Sequence, residues 1–235
     1  MRPLAKWAVG FEYLPGHQIP QTFSNHADAA HILSANLGKY CSYCERYDPG
    51  IQIDHVVPVT QKHTPSNAWD NLLYACSTCN RFKWHAEISE ELMFLPHKSN
   101  TAYLFVYFAD GTIIVNPEIT DDITKAKAEK LLKVTGLDQI FIELEDTPKE
   151  ARDSRDKDRR KAWKIANDHL KEYESGKESY NINGLVNFAK QRGSFSVWFT
   201  VFQAHSEVRK ALIEGFKGTN DTCFDPQNGY NPMPI

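Results

Sequence analysis

Residues 39–59 read KYCSYCERYDPGIQIDHVVPV and residues 69–83 read WDNLLYACSTCNRFK, and these two stretches decide how the chain folds. Each holds a Cys-x-x-Cys knuckle, Cys41 with Cys44 and Cys76 with Cys79. Four thiolates in two such pairs are the donor set of a closed structural Zn²⁺ site, which has no position left for water. A metal held in this way staples the fold and does no chemistry itself. Two redox-active pairs, or unmetallated core cysteines, are the competing reading, and the paired spacing argues against both. Between the knuckles lie 31 residues, Glu45 to Ala75, longer than the ~15 to 20 of an ordinary zinc ribbon.

That insert carries polar groups where a ribbon would be apolar. The runs IQIDHVVPV and NLLYAC read as strands and TCNRFKWHAEISEEL as a helix, giving the order strand, loop, strand, helix. Asp54 and His55 stand side by side in the first strand, where both are costly to bury without a purpose. Asn71 follows His55 after 15 residues, and Asn80 follows Asn71 after 8. This spacing is that of the HNH motif with asparagine in place of its last histidine. With the flanking cysteine pairs, the region resembles HNH endonucleases, also called ββα-metal nucleases.

Phosphodiester cleavage needs an activated water, neutralised phosphate charge and a stabilised leaving oxygen. His55 is suited to take the proton from water, since an imidazole with a pKa near 6.5 is largely neutral at cellular pH. Asp54 and Asn80 offer hard oxygen ligands for Mg²⁺ or Mn²⁺. Asn71 is expected to orient the loop after His55 through hydrogen bonds, a role that resembles its family counterpart. Lys83, three residues after Asn80 on one helix face, is in position for a nonbridging phosphate oxygen. Neighbours on a regular strand point to opposite faces, so a shared site for Asp54 and His55 requires the strand to bend near Pro58. His63 reads as a solvated loop residue and His85 as a structural or surface residue off the Asn80 face.

Outward from this module the sequence divides into an N-terminal arm and helix over 1–39, the module and a hairpin over 40–117, and a mainly helical region over 118–235. The arm, 1–23, has no clear period and reads as extended. NHADAAHILSANLGK has apolar residues at helical spacing and Gly38 at its end. TAYLFVYFADGTIIVNP is a hairpin centred on Asp110-Gly111. DDITKAKAEKLLKVTG is a helix with an acidic start and a glycine stop. A charged helix is expected from about Thr147 to Ser175, then helical segments in SYNINGLVNFAKQRG and SFSVWFTVFQAHSEVRKALIEGF, and a turn-rich tail. The expected class is α+β: a ββα-metal core stapled by four cysteines, a hairpin and a helical C-terminal half.

The chain has 235 residues, 41% hydrophobic and 24% charged, which is enough to bury a sizeable core and leaves long disorder unexpected. A formal net charge of −3 disfavours a protein that coats nucleic acid along its whole surface. Residues 1–17 lack the apolar run of a secretory signal, and no segment reaches the ~20 apolar residues of a membrane span. The expectation is a cytoplasmic, reduced protein without membrane contact, in which Cys223 is a plain thiol. Residues 149–164, KEARDSRDKDRRKAWK, hold eight basic and four acidic side chains. They fit either a track for a nucleic-acid backbone or a solvated helix laced with ion pairs. Trp163 and Trp198 read as core or interface anchors.

The quoted pattern, followed by a hairpin and a helical second half, also resembles the HNH subunits of Septu-type antiphage systems, some of which accompany retrons. The motifs cover about 47 residues, and beyond them the likeness is one of length and layout. The resemblance implies a nuclease acting on DNA, with RNA left open, and a partner ATPase of the ABC or SMC type docked on the helical half. Competing readings are a noncatalytic zinc-finger adaptor, which has no use for Asp54, His55 and Asn80 together, and a site-specific homing or restriction nuclease, for which no recognition-helix signature is seen.

Overall fold

The structure, a computed structural model, describes residues 1–61, 66–84, 86–140, 153–176 and 179–235. His63, His85 and the start of the expected charged helix lie outside them. The N-terminal arm is anchored by buried Met1, Leu4, Ile19 and Phe23, and between these anchors it forms a small hairpin, β1 (Glu12–Leu14) with β2 (His17–Gln18). The Asn25 side chain then caps the Ala27 amide at 3.0 Å and starts a 3₁₀ turn, His26–Ala29, that runs into α1 (Ala30–Leu37). Gly38, at φ 73°, ends it.

The module between the knuckles is built from β3 (Gln52–His55), β4 (Leu72–Ala75) and α2 (Ser77–Lys83). β3 and β4 pair antiparallel, Asp54 opposite Leu73 and His55 opposite Leu72. The Leu-Leu-Tyr-Ala run of β4 has no polar face, and all four residues are buried. α2 begins at once because Cys76 is its N-cap. Next come α3 (Thr101–Leu104), β5 (Phe105–Tyr107) and β6 (Ile113–Val115), with β5 and β6 antiparallel. The hairpin differs from a two-residue turn. Its connection spans 108–112, closed by Phe108 N–H to the Thr112 carbonyl at 3.0 Å, and Asp110 Oδ1 accepts from Thr112 N–H at 2.9 Å.

α4 (Asp122–Thr135) is capped by Asp121, whose carboxylate accepts from Thr124 N–H, and stops at Gly136 in the left-handed conformation. Glycine is needed there twice over, because a Cβ at Gly136 would lie 2.6 Å from the Phe82 ring of α2. α5 (Arg155–Ser175), α6 (Ile182–Arg192), α7 (Phe195–Val201) and α8 (Ser206–Gly215) form the helical half, and β7 (Phe224–Asp225) with β8 (Asn231–Pro232) gives the turn-rich tail a minimal hairpin. The fold is α+β, with eight α-helices and four two-stranded sheets among the described residues. None of the described helices is long and apolar enough to cross a membrane.

One apolar core joins the arm, the module, the β5–β6 hairpin and α4, and a second joins α6, α7, α8 and the tail. Trp163 packs against both, and Trp198 is fully buried in the second. The buried stripe of α5 runs Arg155, Arg159, Ala162, Ala166 and Tyr173, helical spacing with a charged beginning. The described part of the basic stretch therefore turns inward at Arg155, Asp156 and Arg159, each at most 5% exposed. Arg160, Lys161 and Lys164 stay exposed on the other side of the helix.

Candidate active site and metal centre

The first knuckle is a tight turn in which Glu45 takes φ 64° and its N–H donates to the Cys41 carbonyl. The second is the opening turn of α2, where the Cys76 sulfur accepts from Cys79 N–H at 3.5 Å. This brings all four sulfurs within 4.8 Å of one another, with Cys44 and Cys76 at 3.7 Å. A tetrahedral ion with metal–sulfur bonds of ~2.3 Å spaces its sulfurs by ~3.8 Å. Donor set and spacing thus fit a metal ion, and none of the four cysteines is in a disulfide. Hydrogen bonds from Cys41, Cys44 and Cys79 hold the Cys76 thiol below the ordinary thiol range, which favours the thiolate that a metal needs.

Arginine surrounds this cluster. Arg155 donates from Nη1 to Cys79 Sγ at 3.1 Å and to the Thr135 carbonyl at 2.6 Å, while Nε and Nη2 clasp Asp153. Burial alone would lower its pKa, but the bonds to Asp153 and the negative sulfurs raise it above its usual value. Arg46, two residues after Cys44, reaches Ser154 Oγ at 3.0 Å just ahead of α5 and Asp158 Oδ2 at 2.5 Å on it.

Beside the cluster an open groove of about 520 Å³ runs between residues 52–60 and residues 77–84. Asp54, His55 and Asn80 all border it. β3 keeps regular pairing through both Asp54 and His55, and the expected alternation holds: Asp54 is 2% exposed and His55 half-buried. The groove runs along the whole of β3, Gln52 to His55, and on to Pro58–Thr60, so Asp54 and His55 both border it without a bend inside the strand, and the chain bends only after it, at Val56 and Val57.

The His55 ring has Nε2 3.3 Å from Asn67 Oδ1, and its centroid is 5.1 Å from the exposed His26 ring, edge to face. Asn67 in turn donates to the Ser24 carbonyl at 3.4 Å. Asn71 is buried and spans the turn after β3: Oδ1 accepts from Val57 N–H at 2.8 Å, and Nδ2 donates to the Val57 and Ser66 carbonyls at 3.1 and 3.2 Å. Asn80 uses its backbone N–H on the Cys76 carbonyl, and among the described residues its side chain makes no hydrogen bond.

Lys83 sits differently from the expected phosphate contact. Its ammonium is 2% exposed, contacts Asp54 Oδ2, lies 3.3 Å from the His55 carbonyl and 4.9 Å from the Tyr43 ring centroid. A buried ammonium finds its best partner in a buried carboxylate, and that draws Lys83 inward. Tyr43 donates its hydroxyl to the same oxygen at 2.7 Å, and burial, followed by the Asp54 charge, keeps the phenol protonated. Asp54 Oδ1 accepts no hydrogen bond among the described residues, which leaves that oxygen, with the Asn80 side chain, as the donors on the groove border that could hold a cation. Tyr43, Asn67 and His26 were not singled out in the sequence. Tyr43 is hidden inside a knuckle, and the other two are brought to His55 only by the arm packing beside residues 67–69.

A cysteine cluster, a ββα order and one groove bordered by acid, imidazole and amide thus come together in this part of the chain. Residues 41–85 match the HNH endonuclease family, 45 of the 235 residues, so the chain carries an HNH domain. Nucleases of this family use divalent metals, and some members are noncatalytic. No curated protein matches the chain.

Proposed function

We propose that the chain is a metal-dependent endonuclease that hydrolyses phosphodiester bonds of DNA in the groove beside α2. The observation that carries this reading is that Asp54, His55 and Asn80 border one groove. Asp54 Oδ1 and the Asn80 side-chain oxygen would hold Mg²⁺ or Mn²⁺, and Cys41, Cys44, Cys76 and Cys79 a structural Zn²⁺. The divalent ion, when bound, supplies charge neutralisation for the phosphate and the leaving oxygen.

The residues of the chain do the rest. His55 donates Nε2–H to Asn67 Oδ1, an assignment made from the hydrogen-bond network, which leaves the Nδ1 lone pair to accept a proton from water. The water oxygen bonds to phosphorus as its proton passes to His55 Nδ1, the P–O3′ bond breaks, and the departing O3′ takes a proton from solvent, giving a 5′-phosphate and a 3′-hydroxyl. Asn71 locks the turn that follows His55, and Lys83 with Tyr43 fixes the Asp54 carboxylate. The test is nicking of supercoiled plasmid with Mg²⁺ or Mn²⁺ by wild type and His55→Ala; equal cutting by both would overturn the assignment. The adaptor reading draws on one observation, the internal cation already on Asp54, and it expects no cutting even with a partner present.

The sequence likeness to Septu-type subunits supports a finer proposal: an effector of antiphage defence in the bacterial cytoplasm, with an ABC- or SMC-type ATPase docked on the helical half and retron components in some systems. Co-purification with an ATPase encoded beside this chain is the expected result, and a chain that purifies alone and cuts without a partner would count against it.

A further inference from the structure

Trp84 stands at the C-terminal end of α2, four residues and one turn after Asn80, and borders the same groove as His55 and Asn80. It is 71% exposed. Val59, 61% exposed, and Pro58 border the groove from the segment after β3, so apolar surface reaches the groove from both of its sides. Arg81 lies between Asn80 and Trp84 on that border. A groove made only to seat a phosphodiester between a metal ion and an imidazole needs polar walls. Here the side chain next to the chemistry is a large, flat aromatic ring.

We propose that Trp84 is a stacking platform for a base of the strand being cut, and that unpaired nucleic acid is the preferred substrate. The inference rests on the nuclease reading of the groove. Every base has a π-face, so stacking on Trp84 carries no sequence code and favours any single strand. In a duplex both faces of a base are covered by its neighbours, and reaching the ring requires a step to be unstacked at a cost. Paired and unpaired forms of one sequence are thereby told apart by a side chain that forms no hydrogen bond to either. The Val59 and Pro58 surface gives the base edge an apolar seat, and Arg81 offers a cation for the adjoining backbone.

The test uses the full chain carrying His55→Ala, with Mg²⁺, and a fluorescent oligothymidylate beside a duplex of equal length. Anisotropy is expected to show the single strand bound about tenfold tighter or more than the duplex. Adding Trp84→Ala is expected to lower single-strand affinity about tenfold and leave duplex affinity unchanged, and Trp84→Phe to restore most of it. A melting curve of each variant, taken beside the binding curves, separates a lost stacking ring from a lost fold. Equal affinity for the two forms, an unaffected Trp84→Ala, or a Trp84→Phe as weak as alanine overturns the inference. Cleavage by His55→Ala at the wild-type rate would instead remove the nuclease reading, and the two failures are read from separate assays.

Discussion

Arg155 donates from Nη1 to the sulfur of Cys79 across 3.1 Å, joining residues 76 positions apart. Four thiolates around one divalent ion carry two net negative charges, and a fixed guanidinium offsets part of that charge. Arg155→Ala removes the donor and leaves Asp153 buried without its cation, a change of about 3 kcal/mol. Metal transfer to a chelator is expected to quicken about tenfold, with Arg155→Lys in between because the ammonium keeps the charge and loses the fork. An unchanged transfer rate would detach Arg155 from the metal centre.

Stripping the metal should act on both sides of that contact. Binding energy at a structural site is folding energy, so chelation or Cys76→Ser is expected to lower the melting temperature. Hydrogen exchange should quicken in β3, β4 and α2 and in the first turns of α5. Protection retained throughout α5 after stripping would show that Arg155 does not transmit the loss.

Asn71 makes three hydrogen bonds to backbone groups of the turn after β3. Asn71→Ala leaves those groups unpaired, at a cost of about 2 kcal/mol. The nicking kcat should fall at least about tenfold while substrate affinity holds. A variant with normal kcat would confine Asn71 to stability.

Asp54 and Lys83 are each 2% exposed at the side chain. Lys83→Met strands a buried carboxylate and is expected to lower the unfolding free energy by about 3 kcal/mol. Millimolar Mg²⁺ should recover part of this in the variant and stabilise wild type less, since the ion supplies the missing counter-charge. Equal Mg²⁺ effects on both proteins would mean that Asp54 is no ligand.

The two ring nitrogens of His97 are buried and, among the described residues, make no well-formed hydrogen bond, the Asp70 backbone being only a weak partner. Burial first, then the charges of Lys6 and Lys98, lowers its pKa from 6.5 to about 3. Between those values the unfolded chain binds a proton that the folded chain refuses, so stability falls as pH drops below 6.5 and is unaffected by this group above it. Near pH 5 the loss is about 2 kcal/mol. Urea unfolding at neutral and acid pH is expected to show that increment in wild type and its absence in His97→Leu.

The local rules reached far along this chain. Gly38 ends α1, Asp121 and Gly136 bracket α4, and the paired cysteines locate the metal centre, because each depends on neighbours a few residues away. What escaped depends on distant packing. That Lys83 turns inward is decided by Asp54, 29 residues earlier, and by the Tyr43 ring, while the charges of Arg155 and Arg159 read as surface until α5 is seen against the module. The segment Thr101–Leu104 has strand composition but forms a helical turn ahead of β5. His26 stands among nine histidines with nothing in its spacing to mark it.

Glu45, in the turn of the first knuckle, accepts from the Ser196 N–H and hydroxyl at 2.8 and 2.6 Å and from Arg2 N–H, and its carbonyl takes the Ser194 N–H. Gly193 comes so close that a Cβ there would lie 2.2 Å from that carbonyl. A single residue thus ties the arm and α7 to the metal turn. Calorimetry should therefore show one melting event, and neither the stretch before 118 nor the stretch after it should fold when expressed alone. Any attempt to borrow the cutting module as a portable part would have to replace what Ser196 and Arg2 supply.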